Sequence, residues 1–465
     1  VVPGGLFLAC KGFRHHGLEF AQSAVDAGAK VVAWEPAEGW SAPDLPKGVA
    51  GFAVPGLGDE VGTIADRFFA RPSEQIVVTG VTGTNGKTTT AWLVAQALDC
   101  LGCKAGYMGT LGYGLGAQLE PSKLTTPGVI AVHRRLRELA DAGATDVVME
   151  VSSHGLDQGR IDAVRIRTAA FTNLSRDHLD YHHDLASYGA AKAKLCALPS
   201  IETAVINVGD AFGAELVRNW RSSAKVIGVA LAGKGPDGES PALLVDVVES
   251  NTDGLLLRLS GDYGTAEIRS HLWGHFNAEN LVVAAGILLA QNYDLQQVAT
   301  ALEKCMAPPG RMQVVRGGES TPLVVVDFAH TPDALAQAIE VVQEHCSGDI
   351  SVVFGCGGER DTGKRGEMGS VAARLANRVI VTDDNPRNED PDAIVAAILA
   401  GAAEHSNVTV ERNRAHAIAN AVAASAPGDA VLVAGKGSEN RQLIGGDSLP
   451  FSDVDAAAAA LGRLS

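Results

Sequence analysis

The chain has 465 residues, with 38 basic against 54 acidic side chains and a formal charge of −16. At roughly 150 residues per domain this length suggests about three domains, and 46% hydrophobic with 20% charged residues excludes wholesale disorder. An acidic balance without a basic run of five or more disfavours general nucleic-acid or anionic-membrane binding, and apolar stretches such as Leu281–Gln291 fall short of the ~20 residues that a membrane span needs.

The opening Val1-Val2-Pro3-Gly4 reads as mid-domain sequence, so a short preceding piece is expected. To about Arg71, short apolar runs (Leu6–Ala9, Val31–Trp34, Gly51–Val54) and one helical stretch near Phe20–Ala27 predict a small α/β domain. Arg71-Pro72-Ser73-Glu74-Gln75 reads as a polar linker. A strand at Ile76–Thr79 and a helix over Thr89–Leu98 then open a new domain, and Cys100–Cys103, a lone CxxC at the helix end, reads as packing. The seven cysteines are scattered and form no disulfide framework, which predicts a reducing, cytoplasmic setting. Asp146–Val151, Ala169–Thr172 and Ala204–Asn207 read as buried parallel strands. Between Leu243 and Leu272 the period changes to two, and a turn at Asn251–Gly254 predicts an antiparallel flap. Beyond Pro308-Pro309-Gly310, strands at Leu323–Asp327, Ile350–Phe354, Arg378–Thr382 and Ala430–Val433 alternate with helices near Pro332, Glu367, Asp390 and Arg414. The expectation is an α/β protein of three domains: a small α/β domain over 1–73, a central doubly wound parallel sheet with an antiparallel flap over 74–308, and a Rossmann-like α/β domain over 309–465.

The strongest local signal is Gly83-Thr84-Asn85-Gly86-Lys87-Thr88-Thr89, placed between strand and helix. A glycine-rich turn at a helix N-terminus directs backbone N–H groups at phosphate oxygens; Lys87 reaches the β- and γ-phosphates and Thr88 a Mg²⁺ ion. Val81 stands where a strict motif has its first glycine. This loop predicts nucleoside triphosphate binding. Glu150, ending a predicted strand in Glu150-Val151-Ser152-Ser153-His154, falls where a parallel sheet presents a metal-binding carboxylate. The stretch Thr172–Asp184 is dense in His and Asp; it could hold zinc, but it also suits a solvated loop.

Gly80–Thr90, Glu150–His154, Thr172–His182 and Ala190-Ala191-Lys192 together resemble the Mur ligases, ATP-dependent amide-forming enzymes that build the peptidoglycan precursor peptide. Gly274-His275-Phe276-Asn277-Ala278-Glu279-Asn280, Gly310-Arg311-Met312 and Asp327–Asp333 extend the resemblance collinearly over nearly the whole chain. Within the family it points to the branch that adds the third peptide residue to UDP-N-acetylmuramoyl-L-alanyl-D-glutamate.

The resemblance implies roles residue by residue. Glu150, His178 and Lys192 would serve two Mg²⁺ ions, with Lys192 as a CO₂-derived carbamate, beside Lys87 and Thr88. Asn280, Arg311, Asp327 and His330 would contact ATP. Thr125, Thr126, Ser152, Gln158, Arg160 and Lys192 would face the UDP-muramoyl dipeptide, with Leu124 replacing a frequent Asn. Pro3–Phe7 and His15–Gly17 would lie near its UDP end. Asp384-Asn385-Pro386-Arg387, with Arg360, Gly435 and Glu439, would select meso-diaminopimelate; Ser438 departs from a usual His. An arginine left unpaired by L-lysine penalises that alternative acceptor. The implied enzyme acts as a monomer on small molecules, through an acyl phosphate. Its rivals are a lysine-adding sister ligase, a folylpolyglutamate-synthetase-like ligase and a nucleotide-binding scaffold.

Overall fold

The computed structural model describes residues 2–12, 15–116, 118–233, 241–251, 253–318, 320–359 and 361–463. The short apolar runs at the start form a three-stranded parallel sheet in the order Leu6–Ala9, Val31–Trp34, Ala50–Ala53. The helix Leu57–Phe68 leaves this sheet and packs on the helix Val129–Asp141. Gly62 lies so close to Asp162 that a Cβ would meet its backbone oxygen at 2.7 Å, so only glycine permits this approach. Pro72–Gln75, expected as a linker, is instead a helical turn with Pro72 and Ser73 buried. Proline supplies the φ of a first helical position, and Ser73 Oγ accepts the Arg165 N–H at 3.0 Å.

The central sheet has 11 strands. Its parallel body runs in the order Ala105–Gly109, Asp146–Glu150, Val77–Thr82, Thr168–Phe171, Thr203–Asn207, Lys225–Leu231, Leu243–Asn251. The chain leaves Val77–Thr82 for Ala105–Gly109 on one side and later returns to Thr168–Phe171 on the other. The order therefore reverses beside Val77–Thr82, and a crevice opens at the strand carboxyl ends there. The expected flap is continuous with the sheet, because Leu243–Asn251 also pairs in parallel with Lys225–Leu231. Leu255, Leu257 and Leu259 alternate inward and are buried, which holds it there. A second antiparallel extension, Gly112–Leu115 and Gln118–Glu120, closes the other edge.

The third sheet has six strands, with Gln313–Val315 antiparallel at its edge and then Leu323–Asp327, Ala430–Ala434, Ile350–Phe354, Arg378–Val381 and Val408–Val410 in parallel. Helices cover both faces over separate apolar clusters. Trp273 of the central domain is buried in one of these clusters and stacks on His345 at 4.2 Å between ring centroids. All seven cysteines are free, and Cys103 Sγ meets Tyr293 Oη at 3.1 Å as packing. Among the described residues no helix is long and apolar enough to cross a membrane.

Candidate active site

The strand Val77–Thr82 ends in the crevice and turns through Gly83–Gly86 into the helix Lys87–Cys100, which starts two residues earlier than expected. Val81 continues the strand, fully buried, and accepts the Val151 N–H at 2.8 Å; this is why no glycine is needed there. Gly83 and Gly86 have φ of 147° and 81°. A Cβ on Gly83 would run into Thr172 Oγ1, which donates to Asn85 O at 2.6 Å, and one on Gly86 would run into Asn280 Oδ1. Thr84 N–H donates to Asn173 O at 2.8 Å and Asn85 N–H to Asn173 Oδ1 at 2.9 Å, so the loop is braced by the neighbouring strand end. Gly83→Ala is therefore expected to cost about 1–3 kcal/mol from backbone strain and to abolish ATP binding, as read by urea unfolding and by calorimetric titration.

Two lysines converge on this loop. Lys87 Nζ donates to Gly83 O at 3.0 Å and Thr84 O at 2.7 Å, while Lys192 Nζ donates to Gly83 O at 2.5 Å. Lys192 is 1% exposed and lies over the Tyr188 ring, 4.2 Å from its centroid. Burial, reinforced by the charge of Lys87, holds the Lys192 ammonium well below the usual lysine range. Lys194, on the same helix, is by contrast a half-exposed partner of Asp157 at 2.8 Å.

Glu150 is buried at the end of the adjacent strand. Its Oε2 accepts the Thr88 hydroxyl at 2.9 Å and the Thr110 hydroxyl at 3.2 Å; its Oε1 accepts Thr110 N–H at 2.8 Å and the Tyr107 hydroxyl. Thr110 Oγ1 meets Thr125 Oγ1 at 3.1 Å. Thr126 Oγ1 donates to Glu150 O at 3.0 Å and accepts Ser152 N–H at 2.9 Å, which joins the residues expected for the dipeptide to the strand end bearing Glu150. The Arg160 fork is engaged within the protein, with Nε and Nη2 on Gln158 Oε1 and Nη1 on Thr126 O at 2.8 Å. His178 has a left-handed φ of 54°; its ring lies 4.9 Å from that of His154 and its Nε2 is 3.4 Å from Asp177 Oδ2. Among the described residues no group of three or more His, Cys, Asp or Glu that could hold a metal ion is present.

Asn280 is buried on the helix His275–Ala290, beside the loop. Arg311 stacks on the Phe328 ring at 4.3 Å, and its charge acts on Lys87 across the cleft. Asp327 Oδ2 accepts Met312 N–H at 2.7 Å, and His330 Nδ1 meets Phe328 O at 2.9 Å. The remaining expected residues form a separate group on the third sheet. Asn385 Nδ2 donates to Glu439 Oε2 at 2.7 Å, and Lys436, fully buried, donates to Asn385 Oδ1 at 3.0 Å and Glu439 Oε2 at 2.8 Å and lies 3.5 Å from Asp384 Oδ1. Arg387 Nη1 donates to Gly358 O at 2.6 Å, and Gly358 is so close to Pro386 O that a side chain would collide with it. Gly435, at φ 115°, donates its N–H to Asp327 O at 3.1 Å, so both groups stand on adjoining strand ends. Arg360 lies outside the described residues. Tyr107, Thr110, Tyr188 and Lys436 are the site residues that sequence reasoning missed. Only Tyr188, four residues before Lys192 on one helix face, left a periodic signal.

A phosphate-binding loop at a sheet switch point, a strand-end carboxylate on the loop's own threonine, and a buried lysine define a nucleotide-dependent group-transfer enzyme. Residues 1–65 match the family model described as Mur ligase family, catalytic domain; 81–288 match the Mur ligase middle domain, and 310–437 the Mur ligase, glutamate ligase domain. The chain belongs to the Mur ligase family. It is 45% identical over 467 residues to the UDP-N-acetylmuramoyl-L-alanyl-D-glutamate--2,6-diaminopimelate ligase of Xylella fastidiosa, covering 100% of this chain and 92% of that one. The enzyme of the same name from Xanthomonas campestris pv. campestris is 47% identical over 463 residues, covering 99% and 92%. A solved structure of a ligase of that name superposes with a TM-score of 0.71 at 34% identity, covering 100% of this chain and 93% of that one.

Proposed function

We propose that the chain joins meso-diaminopimelate to the D-glutamyl carboxylate of UDP-N-acetylmuramoyl-L-alanyl-D-glutamate, consuming ATP and releasing ADP and phosphate, in peptidoglycan precursor synthesis in the cytoplasm. The observation that carries this reading is one cleft holding the phosphate loop, the Thr88–Glu150 pair and buried Lys192, in a chain similar over its length to ligases of that name. Residues 1–73 would bind the UDP end, 74–308 ATP and the dipeptide, and 309–465 the incoming amino acid, within a monomer.

The loop N–H groups and Lys87 neutralise the β- and γ-phosphates, with Arg311 approaching from the third sheet. The glutamyl carboxylate oxygen attacks the γ-phosphorus; an O–P bond forms, the bond to ADP breaks, and an acyl phosphate results. The diaminopimelate amine then attacks the acyl carbon, forms the C–N bond, gives up a proton and expels phosphate. Enclosure by both domains excludes water from the acyl phosphate. Thr88 and Glu150 suit Mg²⁺, a hard cation that takes one or two protein oxygens and fills its remaining positions with phosphate and water, and they already adjoin; His178 would be the further ligand. When bound, Mg²⁺ offsets phosphate charge as it shifts. Lys192, with its ammonium disfavoured, suits reaction of the neutral amine with CO₂, and the carbamate would serve a second Mg²⁺. Arg387 and Glu439 would receive the distal carboxylate and ammonium of the acceptor.

Phosphate release with ATP, Mg²⁺ and the UDP-muramoyl dipeptide, run with meso-diaminopimelate or L-lysine, tests this reading. Release with diaminopimelate alone is the expected result. Release with lysine would preserve the ligase chemistry and overturn the role given to Arg387, and silence with both would favour a scaffold.

A further inference from the structure

Two loops of the third sheet meet where the acceptor amino acid is proposed to bind: one follows Ile350–Phe354 and carries Gly357, Gly358 and Glu359, and the other runs from Asp384 to Glu389. Arg365, 3% exposed at the start of the helix Lys364–Leu375, lies beneath both. It pairs in two prongs with Glu389, Nη1 to Oε1 at 2.6 Å and Nη2 to Oε2 at 2.8 Å, and Nη2 also donates to Gly357 O at 3.3 Å. Glu389 Oε2 in turn accepts Glu359 N–H at 2.8 Å. Above this pair, Gly358 N–H donates to Asn385 O at 2.9 Å and Arg387 Nη1 donates back to Gly358 O. Glu359 and Arg387 hold left-handed φ values of 55° and 54°, conformations that non-glycine residues keep only when the surroundings fix them. Hydrogen bonds from Arg365 and then from Glu359 N–H pull the Glu389 carboxyl down to about 2, so the pair is ionised throughout the neutral range.

We propose that Arg365 and Glu389 are the positioning pair of the acceptor site: by locking the two loops together they fix the Arg387 guanidinium where it meets the acceptor's distal carboxylate, and so set the preference for diaminopimelate over lysine. Both side chains are engaged with each other and with the backbone of Gly357 and Glu359, and so act through the loop that carries Arg387. The inference rests on the acceptor reading given under Proposed function. A two-pronged guanidinium–carboxylate pair suits this task because it fixes orientation as well as distance.

The test is steady-state phosphate release by wild type, Arg365→Lys and Glu389→Gln, varying each substrate in turn, with thermal unfolding recorded alongside. A lysine keeps the charge but loses the fork, and a glutamine keeps the shape but loses the charge. Both variants are expected to raise the KM for diaminopimelate by about ten- to a hundredfold. The preference over lysine should fall, while kcat and the KM values for ATP and the UDP-muramoyl dipeptide stay within about twofold. An unmoved KM for diaminopimelate in a folded variant, or an equal loss across all substrates, would overturn the proposal in favour of a simple brace. If Arg365→Lys fails to fold, Glu389→Gln decides. Absence of diaminopimelate-dependent release by wild type would instead overturn the acceptor reading itself.

Discussion

Lys192→Ala is expected to lower kcat by about a hundred- to a thousandfold, the cost of losing one preorganised charge contact in a closed site, while ATP binding changes only a few-fold. The phosphate cradle is built from the Gly83–Gly86 backbone and Lys87, none of which the substitution removes. What disappears is a side chain that is almost completely buried, shares the Gly83 carbonyl with Lys87, and has its ammonium form disfavoured by burial and by that neighbouring charge. Since burial lowers its pKa, the neutral amine predominates at a lower pH than in an exposed lysine, and the proposed reaction with CO₂ would proceed correspondingly nearer neutrality. Lys192→Arg separates the two roles open to this group. Arginine stays cationic and cannot form a carbamate. It should therefore be as slow as alanine; near-normal turnover by Lys192→Arg would mean that a positive charge suffices. A carbonyl resonance of a carbamate, seen after ¹³C-bicarbonate is added to wild type and lost in Lys192→Ala, would give the same answer by spectroscopy.

Asp453→Ala should produce the largest loss of stability, about 3–5 kcal/mol for the domain that contains it. Arg414 and Asp453 are wholly buried and meet in two prongs, Nε to Oδ1 at 2.7 Å and Nη2 to Oδ2 at 2.8 Å. Arg414 Nη2 also donates to Ala434 O at 2.9 Å, while its Nη1 is buried without a hydrogen-bond partner. Removing the carboxylate leaves a guanidinium in the core with Ala434 O as its remaining hydrogen-bond acceptor, and burying a charge that has lost its partner costs far more than the pair gains. Joint replacement by Arg414→Met and Asp453→Leu should recover much of the loss, since neither charge of the pair then remains to be desolvated. Urea unfolding of the third domain's transition checks both, and a double variant no better than Asp453→Ala would refute this account. Because Ala434 precedes Gly435, the single variant should also weaken acceptor binding.

The phosphate loop was legible in the sequence because its geometry is local: strand, glycines, Lys87, Thr88 and helix follow one another within a few residues. The parallel strands were legible as unbroken apolar runs, since both faces are buried. The supports of the site were not. Tyr107 and Thr110 reach Glu150 from 43 and 40 residues away, and Arg365 reaches Glu389 from 24, so nothing in a local window pairs them. Lys436 lies between the expected Gly435 and Glu439, yet its complete burial depends on strands that meet only in the fold. The turn Pro72–Gln75 looked like a linker because its residues are polar, and packing against the helix Val129–Asp141 overrode that composition.

The hydrogen bond from Gly435 to Asp327 has a consequence for the timing of the reaction. It ties the strand end near Arg311 to the strand end that leads to Lys436 and Glu439, on neighbouring strands of one sheet. Any swing of that sheet as a unit would carry Arg311, proposed for the γ-phosphate, and the group proposed to hold the acceptor through the same arc. On the proposed roles, activation of the carboxylate and delivery of the nucleophile would then be mechanically synchronised, and an acyl phosphate would have little opportunity to form with its acceptor still out of reach.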